Sequence, residues 1–272
     1  MEIGRKGGGE LVTTDLLSSI KINGIRIDAI ERGTGAPLLF LHPAIGIDPA
    51  APVLDRLASR ARLIAPTHPG FGNSEQPPAF DNVDDLSYFY LDLLDELDLK
   101  GVTLVGVSLG GWIAAAMAVK STARIARLVL ANAVGIKIGG RETRDIADIY
   151  AMPEKEFNER AYADPTLGRR DYKSMADADI RAAARNREAT ARYAWSPYMH
   201  DPKLKGRLHR IKIPTLLLWG DSDRILSEPY GRAYAAAIPG ARFETVAKAG
   251  HFPHLEQADE FARRVHAFMD ER

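Results

Sequence analysis

The stretch Val105-Gly106-Val107-Ser108-Leu109-Gly110-Gly111-Trp112 joins an apolar strand-like run, Val102–Val105, to a helix-forming one, Trp112-Ile113-Ala114-Ala115-Ala116-Met117. Gly-x-Ser-x-Gly at a sharp strand-to-helix turn holds the serine in a strained backbone conformation, with its hydroxyl exposed above a sheet. Gly106 and Gly110 suit such a turn, because a side chain at either would collide with the neighbouring strand or helix. The helix start behind Ser108 offers unsatisfied N–H groups and positive potential to a developing oxyanion. The bland alternative is a packing turn whose serine only caps the helix. The rest of the chain decides between them.

Outward from this turn, short apolar runs alternate with longer amphipathic ones. Strands are predicted at Ser19–Ile22, Ile25–Ile30, Leu38–Leu41, Leu63–Ala65, Val102–Val105, Leu128–Ala131, Thr215–Trp219 and Arg242–Val246. Helices are predicted at about residues 50–60, 83–98, 108–120, 228–238 and 256–270. The second of these opens at a cap, Asp81 or Asn82, and places Leu86, Phe89, Leu93 and Leu97 at spacings of three or four. The middle strands are apolar on both faces, as strands between two helix layers must be. Asn23-Gly24 separates the first two strands, and both residues tolerate the positive φ of a type I′ hairpin turn. The fold class is therefore α/β, a mostly parallel central sheet flanked by helices.

The alternation stops between Gly135 and Arg210, where only helical pattern remains, including an Ala- and Arg-rich helix over Asp177–Trp195. About eighty residues between two strands is far beyond an ordinary connection. This predicts a core domain of residues 1–134 and 211–272, with a helical cap of residues 135–210 inserted before the late strands.

Composition excludes several classes. The 272 residues are 46% hydrophobic and 26% charged, ordinary for a globular chain. Thirty-six basic residues balance thirty-six acidic ones, which argues against a nucleic-acid partner. Cysteine is absent, and with it disulfides, thiolate nucleophiles and Cys-ligated zinc. The first ten residues, with the run Gly7-Gly8-Gly9, read as a mobile arm rather than a secretory signal, and no apolar run is long enough to span a membrane. A soluble, cytoplasmic protein is expected.

A serine nucleophile needs a base, and the base an orienting acid. Ala249-Gly250-His251-Phe252-Pro253-His254 follows the last strand, and Gly250 would let its loop bring His251 close to Ser108. Trp219-Gly220-Asp221-Ser222-Asp223 follows the strand before it. Ser108, Asp223 and His251 then run in the order Ser…Asp…His, each beyond the carboxyl end of a separate strand. His251 and His254 make a poor zinc pair, because Pro253 interrupts any helix and no cysteine completes the site. No metal and no cofactor is expected.

With these segments, Phe40-Leu41-His42-Pro43 and Pro69-Gly70-Phe71-Gly72-Asn73-Ser74, the chain resembles the α/β-hydrolases, in their lid-bearing group of esterases, perhydrolases and C–C bond hydrolases, over about residues 20–270. The resemblance implies the α/β-hydrolase fold and a Ser108–His251–Asp223 triad, with Asp223 rather than Asp221 as the acid. It also implies an oxyanion hole after the third strand. Pro43 has no N–H, so the donors implied are the amides of Ala44 and Leu109. Thr67 stands where relatives often carry Asp, and His68 beside it reads as structural. Ser108 at the nucleophile position disfavours the dehalogenase and epoxide hydrolase relatives, which use aspartate there.

The expected activity is cleavage of a small, apolar carboxylic ester. C–C hydrolases of ring-cleavage products typically carry Asn before the nucleophile, Gly-Pro-Gly after the first histidine and Trp after the last. This chain has Val107, Ala44-Ile45-Gly46 and Phe252. A cofactor-free perhydrolase is the other alternative. In the cap, Tyr150, Met152, Phe157, Tyr162, Tyr172, Met175, Tyr193, Trp195, Tyr198 and Met199 either line a pocket or bury the cap against the core. Arg181, Arg185, Arg187 and Arg192 read as a solvated face.

Overall fold

A computed structural model describes residues 16–271; the glycine run at 7–9 lies outside them. Eight strands form one sheet: β1 (Leu16–Ile22), β2 (Ile25–Arg32), β3 (Pro37–Leu41), β4 (Arg62–Pro66), β5 (Val102–Val107), β6 (Ile125–Ala131), β7 (Thr215–Gly220) and β8 (Arg242–Val246). Their spatial order is β1-β2-β4-β3-β5-β6-β7-β8. β1 and β2 pair antiparallel, β2 runs antiparallel to β4, and every later pairing is parallel. At the β1–β2 turn Asn23 has φ 48° and Gly24 φ 84°, the paired positive values the type I′ reading requires.

Side chains alternate across the sheet and feed two cores. Leu39, Leu41 and Leu104 face α2 (Val83–Glu96) and α3 (Leu109–Lys120), joined by α7 (Glu228–Ala236). Leu38, Phe40, Val105 and Val107 face α1 (Pro52–Ala58) and α9 (Ala258–Asp270). α3 is apolar all round because nearly all of it, Leu109 to Ala118, is buried. α2 starts at Asn82, not Asp81: its side chain accepts from the Asp85 N–H while Asp85 bonds back, a capping box contributing about 1 kcal/mol. The helix expected over 256–270 is broken at Gln257, leaving α8 (Pro253–Glu256) before α9.

Between β6 and β7 the chain makes α4 (Glu154–Ala161), a 3₁₀ turn at Pro165–Gly168, α5 (Asp177–Ala194) and α6 (Leu204–Arg207). Among the described residues no helix is long and apolar enough to cross a membrane.

Candidate active site

Parallel strands deliver their following loops to one edge, and every candidate residue follows the carboxyl end of a strand. Ser108 follows β5 with φ 52° and ψ −112°, a conformation that L-residues rarely adopt. Packing over-determines this strain. A Cβ on Gly106 would lie 2.3 Å from the Gly110 carbonyl oxygen, and one on Gly110 would lie 2.1 Å from that of Leu41. The helix can begin this close to β3 and β5 only without those side chains.

Asp223 follows β7 and His251 follows β8. Ser108 Oγ donates to His251 Nε2 at 2.8 Å, and His251 Nδ1–H donates to Asp223 Oδ2 at 2.8 Å. All three are buried. Asp223 Oδ1 accepts the N–H groups of Ile225 (2.8 Å) and Leu226 (3.0 Å), and Oδ2 accepts Asn132 Nδ2 (2.7 Å). With His251, these donors occupy both oxygens of the buried carboxylate and hold it in place. Asp221 is exposed and bonds only to the neighbouring Ser222 hydroxyl among the described side chains. The arrangement is able to draw a proton from the serine and to stabilise the resulting imidazolium.

Asn132 escaped the sequence reading. It sits just past β6 at φ 42°, and its Oδ1 accepts the Gly220 N–H at 3.1 Å while its Nδ2 reaches Asp223. The only available signal was an Asn at a strand end, a position that tolerates positive φ. Glu256 was also missed. Its carboxylate accepts Gly250 N–H and Ala163 N–H, each at 2.7 Å, tying the histidine loop to the segment after α4. Burial raises its pKa, opposed by those N–H groups. Ala161 O accepts the His251 N–H at 2.6 Å, and a Cβ on Gly250 would lie 2.3 Å from that same oxygen.

Behind β3, His42 Nδ1–H donates to Pro43 O at 2.8 Å, and Gly46 N–H to the same oxygen at 2.9 Å. Since C=O and N–H of a trans peptide point oppositely, the Ala44 N–H faces away from His42. Neither it nor the Leu109 N–H, at the helix start, is taken by a protein acceptor among the described residues. His42 Nε2 accepts the His68 N–H (2.9 Å), His68 Nε2–H donates to His42 O (2.9 Å), and Tyr90 donates to His68 Nδ1 (2.5 Å). His68 is thus a structural hydrogen-bonding residue, as expected. Burial lowers the His42 pKa to about 4 and holds His68 well below the usual imidazole value.

Over Ser108 lies a small chamber of about 30 Å³ lined by apolar groups including Val134, Ile146, Met199 and Ile225. It shares Ala44, Ile45, Ile149 and Phe157 with a cavity of about 560 Å³ under α4 and α5. Of the aromatics and methionines between β6 and β7, Tyr150, Met152, Phe157, Tyr162 and Tyr172 line the cavity, and Tyr198 and Met199 the chamber. Tyr193 instead braces the core, donating to Pro69 O at 3.1 Å, and Trp195 is exposed. Arg185 departs from the expected solvated face, reaching Ser74 O at 2.9 Å, and Arg187 lies over the Tyr150 ring, 4.4 Å from its centroid.

The chain is similar to a 2-hydroxymuconate semialdehyde hydrolase of Pseudomonas putida, at 26% identity across 91% of this chain and 92% of that protein. Its fold is similar to a meta-cleavage product hydrolase of Pseudomonas fluorescens IP01, with TM-score 0.72 and 21% identity over 93% of this chain and 97% of the other. It is also similar to an esterase of Exiguobacterium antarcticum, with TM-score 0.75 and 19% identity over 95% of this chain and all (100%) of the other. The model of the alpha/beta hydrolase family matches residues 38–264, and the chain belongs to that family.

Proposed function

We propose that this hydrolase cleaves carboxylic esters of small molecules through an acyl-enzyme on Ser108. The observation that carries this reading is the unbroken hydrogen-bonded chain from Ser108 Oγ through His251 to Asp223. Ser108 Oγ attacks the ester carbonyl as its proton passes to His251 Nε2, and Asp223 fixes the tautomer and offsets the imidazolium charge. The amides of Ala44 and Leu109 hold the oxyanion. Return of the proton to the alkoxide leaving group completes acylation. Water, activated by the same histidine, then releases the acid. Residues 135–210 act as a cap over the chamber, whose apolar lining supports an apolar acyl or alcohol group.

A second reading, hydrolysis of a C–C bond in a ring-cleavage product, is favoured by the Pseudomonas putida relative's name. Against it stand Val107, Ile45 and Phe252, where such enzymes typically carry other residues. Assay of p-nitrophenyl esters of increasing acyl length beside a ring-cleavage dienoate tests both. Ester turnover that depends on Ser108 supports the first reading. Turnover of the dienoate alone overturns it in favour of the second.

A further inference from the structure

Three successive carbonyls of the loop after β3 are tied down, and only the first bond comes from the core. Pro43 O is held by His42 and by Gly46 of the loop itself. Ile45 O accepts from Asn186 Nδ2 at 3.0 Å, and Ala44 O takes the longer branch, 3.3 Å, of a Thr190 hydroxyl bond whose shorter branch, 2.7 Å, goes to Asn186 O. Both donors belong to α5, in the excursion between β6 and β7. Asn186 Oδ1 in turn accepts the Gly72 N–H at 2.9 Å. One buried amide therefore clamps two core loops to each other and to α5. Gly46, at φ 93°, leaves room for it: a Cβ there would lie 2.2 Å from Asn186 Nδ2. A polar side chain this deep, on the buried face that α5 shares among Asn186, Ala189, Thr190 and Tyr193, is costly unless its bonds are made.

We infer that Asn186, assisted by Thr190, is a positioning residue for the oxyanion hole. Asn186 holds Ile45 O, whose peptide carries the Gly46 N–H. That N–H bonds Pro43 O at 2.9 Å and so helps set the Pro43–Ala44 peptide plane that aims the Ala44 N–H, which makes the hole complete only while α5 is seated. The inference rests on the ester-hydrolase reading. It places a determinant of transition-state binding on α5, far in sequence from the Ser, His and Asp.

The test uses the full-length protein and an aryl trifluoromethyl ketone. Addition forms a bond from Ser108 Oγ to the ketone carbon, sends the carbonyl π pair to oxygen as an oxyanion, and moves the serine proton to His251 Nε2. The matching trifluoromethyl alcohol occupies the same cavity but has no carbonyl to become an oxyanion. Asn186→Asp keeps the acceptor for Gly72 N–H but removes the donor to Ile45 O, and Asn186→Ala removes both. Each should lower kcat on a p-nitrophenyl ester, and affinity for the ketone, by the same factor. That factor should be about 10- to 100-fold, below the roughly 10²–10³ lost when an oxyanion donor is deleted outright. KM and affinity for the alcohol should stay within about threefold, the mark of an interaction made mainly in the transition state. Thr190→Val should show a smaller loss of the same kind. An Asn186→Asp protein with kcat and ketone affinity equal to wild type overturns the inference, as does equal weakening of ketone and alcohol. Wild-type protein that turns over no ester and forms no ketone adduct overturns the ester-hydrolase reading itself, and the inference with it.

Discussion

Acidification should unfold this protein from within. His42, His68 and His254 are at most 3% exposed, and burial holds all three below the ordinary imidazole pKa. In the unfolded chain each binds a proton near pH 6.5. In the folded chain His42 resists protonation down to about 4, and His254, buried and beside two other imidazoles, down to about 3. The stability these neutral rings contribute is therefore fully present above pH 6.5 and drains away as pH falls toward the folded-state values. At about pH 4.5 each such ring favours the unfolded chain by roughly 2.5 kcal/mol, so His42 and His254 together withdraw about 5 kcal/mol. His68 acts in the same direction. Against a typical net stability of about 5–15 kcal/mol, that is enough to reach the unfolding threshold. The assay is urea unfolding at about pH 7, 5.5 and 4.5, followed through the fluorescence of the fully buried Trp219. His254→Leu isolates the imidazole contribution from that of carboxylates. Nδ1 of His254 has no partner among the described residues, and the ring packs among Phe40, Phe252 and Phe261, so leucine should be nearly neutral at pH 7. The variant should then lose roughly 2.5 kcal/mol less than wild type on going to pH 4.5. Identical pH slopes for the two proteins, or a urea midpoint that does not move, would show that the buried imidazoles do not set the acid stability.

Asp223→Asn should cost on the order of 10⁴ in kcat, as in serine-protease triads. The Ile225 and Leu226 N–H groups would hold the amide oxygen, turning its NH₂ toward His251 Nδ1 and forcing the wrong tautomer. Asp221→Asn should change kcat by less than about threefold, since that carboxylate is exposed; the reverse ranking would identify the wrong acid. Gly250→Ala, with its Cβ against the Ala161 carbonyl, should displace His251 and lower kcat well beyond its effect on KM; unchanged kinetics would show that the loop has slack. For a stable, non-ionising ester, kcat/KM should rise with pH along one limb to a plateau that EDTA leaves unmoved; a chelator-sensitive rate would contradict a mechanism without metal.

The inner strands β3, β4, β5 and β7 were legible because burial between helix layers demands continuous apolar runs. β8 was read to the residue, and β5 and β7 to within two residues at their carboxyl ends. Local rules also yielded the Asn23-Gly24 turn and Gly106 and Gly110 at the serine turn. The break at Gln257 was not legible, because no glycine or proline marks it in Glu256-Gln257-Ala258. The residues bracing the site stayed hidden for another reason. Asn132 reaches Gly220 and Asp223, and Asn186 reaches Ile45 and Gly72, across separations of roughly ninety residues or more that no periodicity encodes. Each is an ordinary polar residue until the fold places a carbonyl or a carboxylate beside it.

A covalent acyl-enzyme on Ser108 is detected most directly by intact-protein and peptide mass spectrometry. Protein mixed with a p-nitrophenyl ester and quenched in acid within the first turnovers should carry one added acyl mass, on the peptide containing Ser108. Ser108→Ala should carry none and should have lost ester turnover while keeping its fold, because the turn's glycines rather than the hydroxyl set its geometry. Ester turnover by Ser108→Ala near the wild-type rate, or an acyl mass on any other residue, would contradict an acyl-enzyme there.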